Sequence, residues 1–142
     1  MEDETVLHFF IAIRERKGYN GLTKHKGGSN MSDCLFCKII AGDIPSSKVY
    51  EDELCYAFHD IAPMAPTHFL VIPKVHFASA AEVTEENAPV IGHIYAVIAK
   101  LAKELGFADG YRVVTNVGAL AGQTVHHIHF HVLSGKELGS FN

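Results

Sequence analysis

Val125-His126-His127-Ile128-His129-Phe130-His131-Val132-Leu133 sets histidine against apolar residues in alternation near the end of a 142-residue chain. In an extended strand successive side chains point to opposite faces, so His127, His129 and His131 are predicted on one face and Ile128, Phe130 and Val132 on the other. The expected result is a row of histidines backed by a core face. At a rise of about 3.3 Å per residue, neighbouring histidines start about 6.6 Å apart at Cα, within reach of one phosphate or one metal. His126 taken alone reads as a surface or satisfied core histidine rather than a catalyst.

Outward from this stretch, the pattern is that of an α+β domain. The segment 127–134 is one strand; 111–117 is another, joined to it by the loop Gly118-Ala119-Leu120-Ala121-Gly122-Gln123. Residues 84–105 carry Val90, Ile91, Ile94, Ile98, Leu101, Ala102 and Leu105 on one helical face, with Thr84 as cap and Gly106 as terminator. Upstream, 68–73 is a strand with a dense apolar middle, and 49–51 and 54–58 pair around Asp52-Glu53. Leu35, Phe36, Ile39 and Ile40 recur at helical spacing over 34–41, with Asp33 as N-cap and a break at Gly42-Asp43-Ile44-Pro45. The prediction is a mostly antiparallel five-stranded sheet with one long helix and a short N-terminal helix.

Chain length fits one domain, assigned to residues 31–142. Residues 1–30, where a short apolar patch precedes a basic, Gly-rich stretch, are expected to be a disordered N-terminal extension; the alternative is an arm that docks on a partner. With 48% hydrophobic and 20% charged residues the composition is that of a globular protein, and a formal net charge of −4 excludes the basic surface that binds nucleic acid. The apolar run 6–13 is too short to span a bilayer and follows acidic residues where a signal peptide carries positive ones. Three cysteines do not make a secreted disulfide framework. A cytoplasmic protein without a membrane partner is expected.

Three aligned imidazoles near neutral pH suit either a His-x-His metal site or phosphoryl chemistry with a histidine nucleophile. The small residues Gly118, Ala121, Gly122 and Thr124 immediately before them let backbone N–H groups approach an oxyanion, which favours phosphate.

In its ordered motifs the chain resembles the histidine triad nucleotide-binding family. His127-Ile-His129-Phe-His131-Val-Leu matches the alternating signature, and the match extends through 38–45, 57–61, 65–74 and 121–125. The Ala65-Pro66-Thr67-His68 and Gly122-Gln123-Thr124 segments are similar to the Hint-type branch of purine nucleoside phosphoramidases. The resemblance implies that His129 attacks the α-phosphorus to form a nucleotidyl-histidine intermediate. His127 would lie beside the leaving group and His68 would orient the triad. His131, Asn116, Thr124 and the Gln123-Thr124 backbone would hold the phosphate. Asp60 would take the ribose, and Phe36, Ile39, Phe58, Ile61 and Leu70 would form a slot for the base, where core packing is the alternative.

The resemblance further implies a homodimer joined across the long helix and last strands, a purine nucleotide ligand, and no cofactor for the chemistry. Cys34-x-x-Cys37 with His76 and His127 matches the ligands of a structural zinc in related members; two free thiols on a helix are the alternative. Departures fall at His126, where the branch often has an aromatic residue, and at Gly139-Ser140-Phe141-Asn142, where it carries Trp-Pro-Pro; local dimer geometry is expected to differ there. Other expectations kept open are dinucleoside polyphosphate hydrolysis, a nucleotide- or partner-binding module with weak turnover, and a metalloenzyme using all three triad histidines.

Overall fold

The computed structural model describes residues 33–140. The extension assigned to residues 1–30 lies outside the described residues. The elements run α1 (Leu35–Ala41), β1 (Lys48–Glu51), β2 (Cys55–His59), β3 (Thr67–Pro73), α2 (Ala88–Glu104), β4 (Arg112–Val114) and β5 (Phe130–Ser134), with single 3-10 turns at Ala80–Glu82 and Ala119–Ala121. The strands form one sheet in the order β1-β2-β3-β5-β4, antiparallel throughout. Among the described residues no helix is long and apolar enough to cross a membrane.

Both faces of the sheet are covered, and strand alternation decides what each face does. Cys55, Ala57, Phe69, Val71, Phe130 and Val132 point to one side and pack with Val90, Ile94, Val97, Ile98 and Leu101 of α2. Tyr56, Phe58, Leu70 and Ile72 point to the other and pack with Phe36 and Ile39 of α1. This double cover explains the dense apolar middle of β3, which has no solvent face to fill with polar residues. Ile94 is fully buried in the α2 layer. Ile94→Ala is therefore expected to cost about 3 kcal/mol through lost transfer energy and a residual cavity, checked by the denaturant midpoint.

Helix ends depart from expectation. Asp33 does not cap α1; Cys34 does, its Sγ accepting the Cys37 N–H at 3.4 Å, and Gly42 closes the helix with φ 84°. Thr84 does not begin α2. Thr84 and Asn87 instead bond each other reciprocally, Asn87 Oδ1 accepting the Thr84 N–H at 2.7 Å and Thr84 Oγ1 the Asn87 N–H at 3.4 Å. The helix starts beyond them at Ala88, with Pro89 in its first turn, where its missing N–H is not needed. Leu105, predicted on the apolar face, is exposed, because the helix ends at Glu104.

Two strands are shorter than predicted. β4 covers 112–114 rather than 111–117, and β5 starts at Phe130 rather than His127. The backbone of 127–129 leaves the ladder because its polar groups are bonded elsewhere: the Ile128 N–H donates to Phe77 O at 2.7 Å, and the His127 carbonyl accepts from the His129 ring.

One carboxylate ties the β1–β2 hairpin to α2. Asp52 Oδ1 accepts the Leu54 and Cys55 N–H groups at 2.8 and 2.9 Å, while Oδ2 accepts Tyr50 OH at 2.9 Å and lies 2.6 Å from His93 Nε2 on α2. Burial pushes this carboxyl up, but the bonds from His93 and the two backbone N–H groups outweigh it and hold it well below the usual range.

Candidate functional site

The histidine row survives the early end of β5. Leu70 pairs with His131 and His68 with Leu133, so His68 and His131 project from the face that α1 covers. His127 and His129, on the approach to the strand, keep to that side: the Phe36 ring of α1 meets both edge-on, at centroid distances of 5.9 and 5.1 Å. His129 and His131 rings are 5.1 Å apart. His126 is exposed.

Hydrogen bonds assign the tautomers. His129 Nδ1–H donates to the His127 carbonyl at 2.8 Å, which leaves the lone pair on Nε2. The Met64 N–H donates to His68 Nδ1 at 3.0 Å, so His68 carries its proton on Nε2 and donates it to His131 Nδ1 at 2.9 Å. His131 is thereby left with a proton on Nε2. His129 offers a nucleophilic nitrogen, and its neighbour offers a donor. Asp60 lies behind this pair, Oδ2 being 3.5 Å from His68 Nε2 and 4.0 Å from His131 Nδ1, while Oδ1 accepts the Ala62 N–H at 2.8 Å.

Burial lowers the pKa of His129 despite the opposing bond to the His127 carbonyl. His131 is lowered to about 4, first by burial, then by His129 and His68, with Asp60 opposing. Both are neutral at pH 7, the state a nucleophile and a directed donor require. A histidine whose folded pKa is depressed contributes nothing above its unfolded value, near 6.5, and destabilises the fold as pH falls from there toward its folded value. For His131 the expected loss between pH 6.5 and pH 4 is about 3 kcal/mol. Denaturant midpoints across that range should fall more steeply for the wild type than for His131→Gln; parallel curves would show that His131 is not the group titrating.

The loop before the row is one 3-10 turn between two glycines in the left-handed region, Gly118 at φ 79° and Gly122 at φ 84°, with Leu120 fully exposed at its tip. Gln123 is buried and its amide holds the loop: Oε1 accepts the Gly118 N–H at 2.9 Å, and Nε2 donates to Ala78 O at 2.7 Å and Val125 O at 3.0 Å. The sequence marked Gln123 for its backbone; this side-chain clamp has no signature beyond a polar residue between small ones. Thr124, next along, is exposed, and Asn116 is half-buried. Of the residues expected to face a base, Phe36, Ile39, Phe58 and Leu70 come together in one buried cluster, with Phe36 edge-on to Phe58 at 5.5 Å. Ile61 stands apart, fully exposed.

Directly behind His129, four potential ligands converge. Cys34 Sγ, Cys37 Sγ, His76 Nδ1 and His127 Nδ1 lie within 4.8 Å of one another. Cys34 Sγ is 3.4 Å from His127 Nδ1, Cys37 Sγ is 3.3 Å from His76 Nδ1 and 3.5 Å from His127 Nδ1, and the two Nδ1 atoms are 3.1 Å apart. A tetrahedral ion with metal–nitrogen and metal–sulfur distances of about 2.05 and 2.3 Å has ligand–ligand edges of roughly 3.3 to 3.8 Å. The donor set fits a tetrahedral metal. His127 Nε2–H donates to the Pro73 carbonyl at 2.9 Å, which turns the Nδ1 lone pair toward the thiols as a ligating histidine needs. The contact between the thiols lowers the Cys34 pKa and raises that of Cys37.

Other groups of potential ligands among the described residues are Asp60 with His68 and His131, and Asp52 with Cys55 and His93. His127, His129 and His131 do not converge as metal ligands: His127 turns to the cysteines and His131 to His68 and Asp60.

The HIT domain model matches residues 41–138. A HIT-like protein of Synechococcus elongatus is 47% identical over 106 residues, covering 75% of this chain and 93% of the relative. Among solved structures, a HIT family hydrolase from Clostridium thermocellum is 48% identical with TM-score 0.74, covering 76% of this chain and 95% of the other. A histidine triad protein from Clostridium difficile is also 48% identical, with TM-score 0.75 and coverage of 78% and 96%. The family model spans most of the chain, and these relatives are matched along nearly their whole length: the chain belongs to the HIT domain family.

Proposed function

We propose that the protein is a nucleotide-binding hydrolase that cleaves the P–N bond of nucleoside 5′-phosphoramidates, or the related P–O bond of aminoacyl-adenylates, through a nucleotidyl-histidine intermediate on His129. The observation that supports this reading is the 2.8 Å bond from His129 Nδ1–H to the His127 carbonyl, which leaves the lone pair on Nε2, where a nucleophile needs it. Attack forms an Nε2–phosphorus bond as the bond to the leaving group breaks, and the leaving amine or carboxylate departs with the electron pair, the amine taking up a proton. Water then cleaves the Nε2–phosphorus bond, releasing the nucleoside monophosphate. His131 Nε2–H, Asn116, the Thr124 hydroxyl and the Gln123-Thr124 backbone N–H groups are assigned to the phosphoryl oxygens, where donors fixed in advance stabilise developing charge. His68 positions His131, and His127 lies nearest the departing group. Asp60 is assigned to the ribose, with the base resting on the rim of the Phe36, Ile39, Phe58 and Leu70 cluster, and the exposed Ile61 is assigned to the same base.

Cys34, Cys37, His76 and His127 are assigned to a structural zinc, the ion that a two-thiolate, two-imidazole tetrahedron favours. It supplies cross-linking and no chemistry at phosphorus. Free thiols at these positions suit a reducing, cytoplasmic setting. The open edge of β4 and the exposed side chains of Tyr95, Tyr111 and Val117 support a homodimer.

Turnover of adenosine 5′-phosphoramidate, followed by mass spectrometry of rapidly quenched samples, tests the reading. A transient adduct of nucleotidyl mass on the peptide holding His129 is expected. Tight binding of adenosine monophosphate with neither turnover nor adduct would make the protein a binding module, and faster cleavage of diadenosine polyphosphates would move the substrate class.

A further inference from the structure

The two cysteines that ligate also form a vicinal thiol pair, and they share a histidine with the reactive row. We propose that Cys34 and Cys37 are a redox modification site: their oxidation to a disulfide ejects the zinc and disables His129, so that peroxide reversibly switches the enzyme off. The proposal rests on the zinc and His129 assignments above.

Cys34 is the N-cap of α1 and Cys37 lies one turn on, with the sulfurs inside a ligand cluster whose atoms are all within 4.8 Å. That separation is within reach of a disulfide without unfolding the helix. Cys37 is partly exposed and Cys34 is nearly buried, so the oxidant meets Cys37 first. With zinc bound both sulfurs are thiolates; that of Cys37 attacks peroxide, its sulfur–oxygen bond forming as the oxygen–oxygen bond breaks, to give a sulfenic acid and hydroxide. The Cys34 thiolate then attacks that sulfur and displaces a second hydroxide. Two thiolates lose two electrons, peroxide gains them, and the cluster loses both the negative charges that hold a divalent ion.

Three observations connect the loss to His129. The His127 carbonyl that fixes the His129 tautomer belongs to a residue whose ring is held through Nδ1 by this cluster. Phe36 sits between the two cysteines in sequence and its ring abuts both His127 and His129, so drawing the sulfurs together rotates the turn that buttresses the nucleophile. With the ion gone, the buried nitrogens of His76 and His127 face each other at 3.1 Å, and neutral disulfide sulfurs are poor partners for them. Cys55 takes no part, being fully buried in the α2 layer.

The zinc-loaded, full-length protein is treated with hydrogen peroxide and followed four ways: zinc release to a chelating dye, the Cys34–Cys37 disulfide by peptide mapping, imidazole nitrogen NMR of His129, and phosphoramidate turnover. One zinc released per disulfide, a shifted His129 tautomer signal and a tenfold or greater fall in turnover are expected, all reversed by reductant plus zinc. Cys37→His keeps four donors but has no thiol partner for Cys34, and peroxide should neither release its zinc nor change its turnover. Disulfide formation with unchanged His129 spectra would overturn the proposal. So would zinc retained by the oxidised wild type, or resistance of the pair to peroxide. Zinc release and the NMR signal read the switch in a protein that turns over nothing, so failure of the hydrolase reading appears in turnover alone, and absence of bound zinc from the reduced protein marks failure of the zinc assignment.

Discussion

His129→Ala is expected to lower single-turnover cleavage of a nucleoside 5′-phosphoramidate by roughly 10⁴-fold or more, because covalent catalysis fails outright without its nucleophile. Neither neighbour is placed to replace it. His127 has Nε2 engaged by the Pro73 carbonyl and Nδ1 turned into the thiol cluster, and it is fully buried. His131 accepts the His68 proton on Nδ1, so its Nε2 carries hydrogen and has no lone pair for phosphorus. The variant should still bind adenosine monophosphate, since the donors assigned to phosphate lie elsewhere. Rapid-quench kinetics with calorimetry of the same samples separates the two effects. A residual rate within tenfold of the wild type would mean that another group, or water directly, attacks phosphorus.

Removal of the proposed zinc is the second large effect expected. The contact between Cys34 and His127 bridges 93 residues of chain, and His76 brings in the segment after β3, so an ion held there would fasten both ends of the domain to its middle. Loss of the ion leaves buried donors facing one another and releases a long-range cross-link. A cost of about 3 kcal/mol corresponds to a fall in Tm of roughly 10–20 °C for a domain of this size. Exhaustive chelation of the wild type and His76→Ala should give the same Tm, and zinc should restore only the wild type. A chelated protein that melts where the untreated one does would show that thiols and imidazoles stabilise each other directly, with no resident ion.

Much of this geometry is legible in the sequence because strand alternation is a local rule. The facing of His127, His129 and His131, the dense apolar middle of β3 and the apolar stripe of α2 are all local patterns. What escaped is decided by distant partners. β5 begins three residues late because a carbonyl of the segment after β3 captures the Ile128 N–H. Cys34 displaces Asp33 as cap because its sulfur faces the helix N–H groups from within a buried cluster, a placement no window of sequence reveals. The Gln123 clamp and the solvent position of Ile61 depend likewise on how loops fold back. Only family likeness links Cys34, Cys37, His76 and His127, since nothing local joins residues so far apart.

The division of the sheet into two faces has a consequence for how this chain can drift. Successive residues of β3 and β5 serve opposite layers, so deleting or inserting one residue there would transpose the layers, burying imidazoles under α2 and turning Phe130 and Val132 toward the α1 side. Descendants of this sequence are free to change length only outside these strands and outside the loops 60–66 and 115–126, whose bonds hold His68 and the turn before the histidine row. Within 67–73 and 128–134 only replacement is open to them, and the reading frame of the pleat is inherited intact.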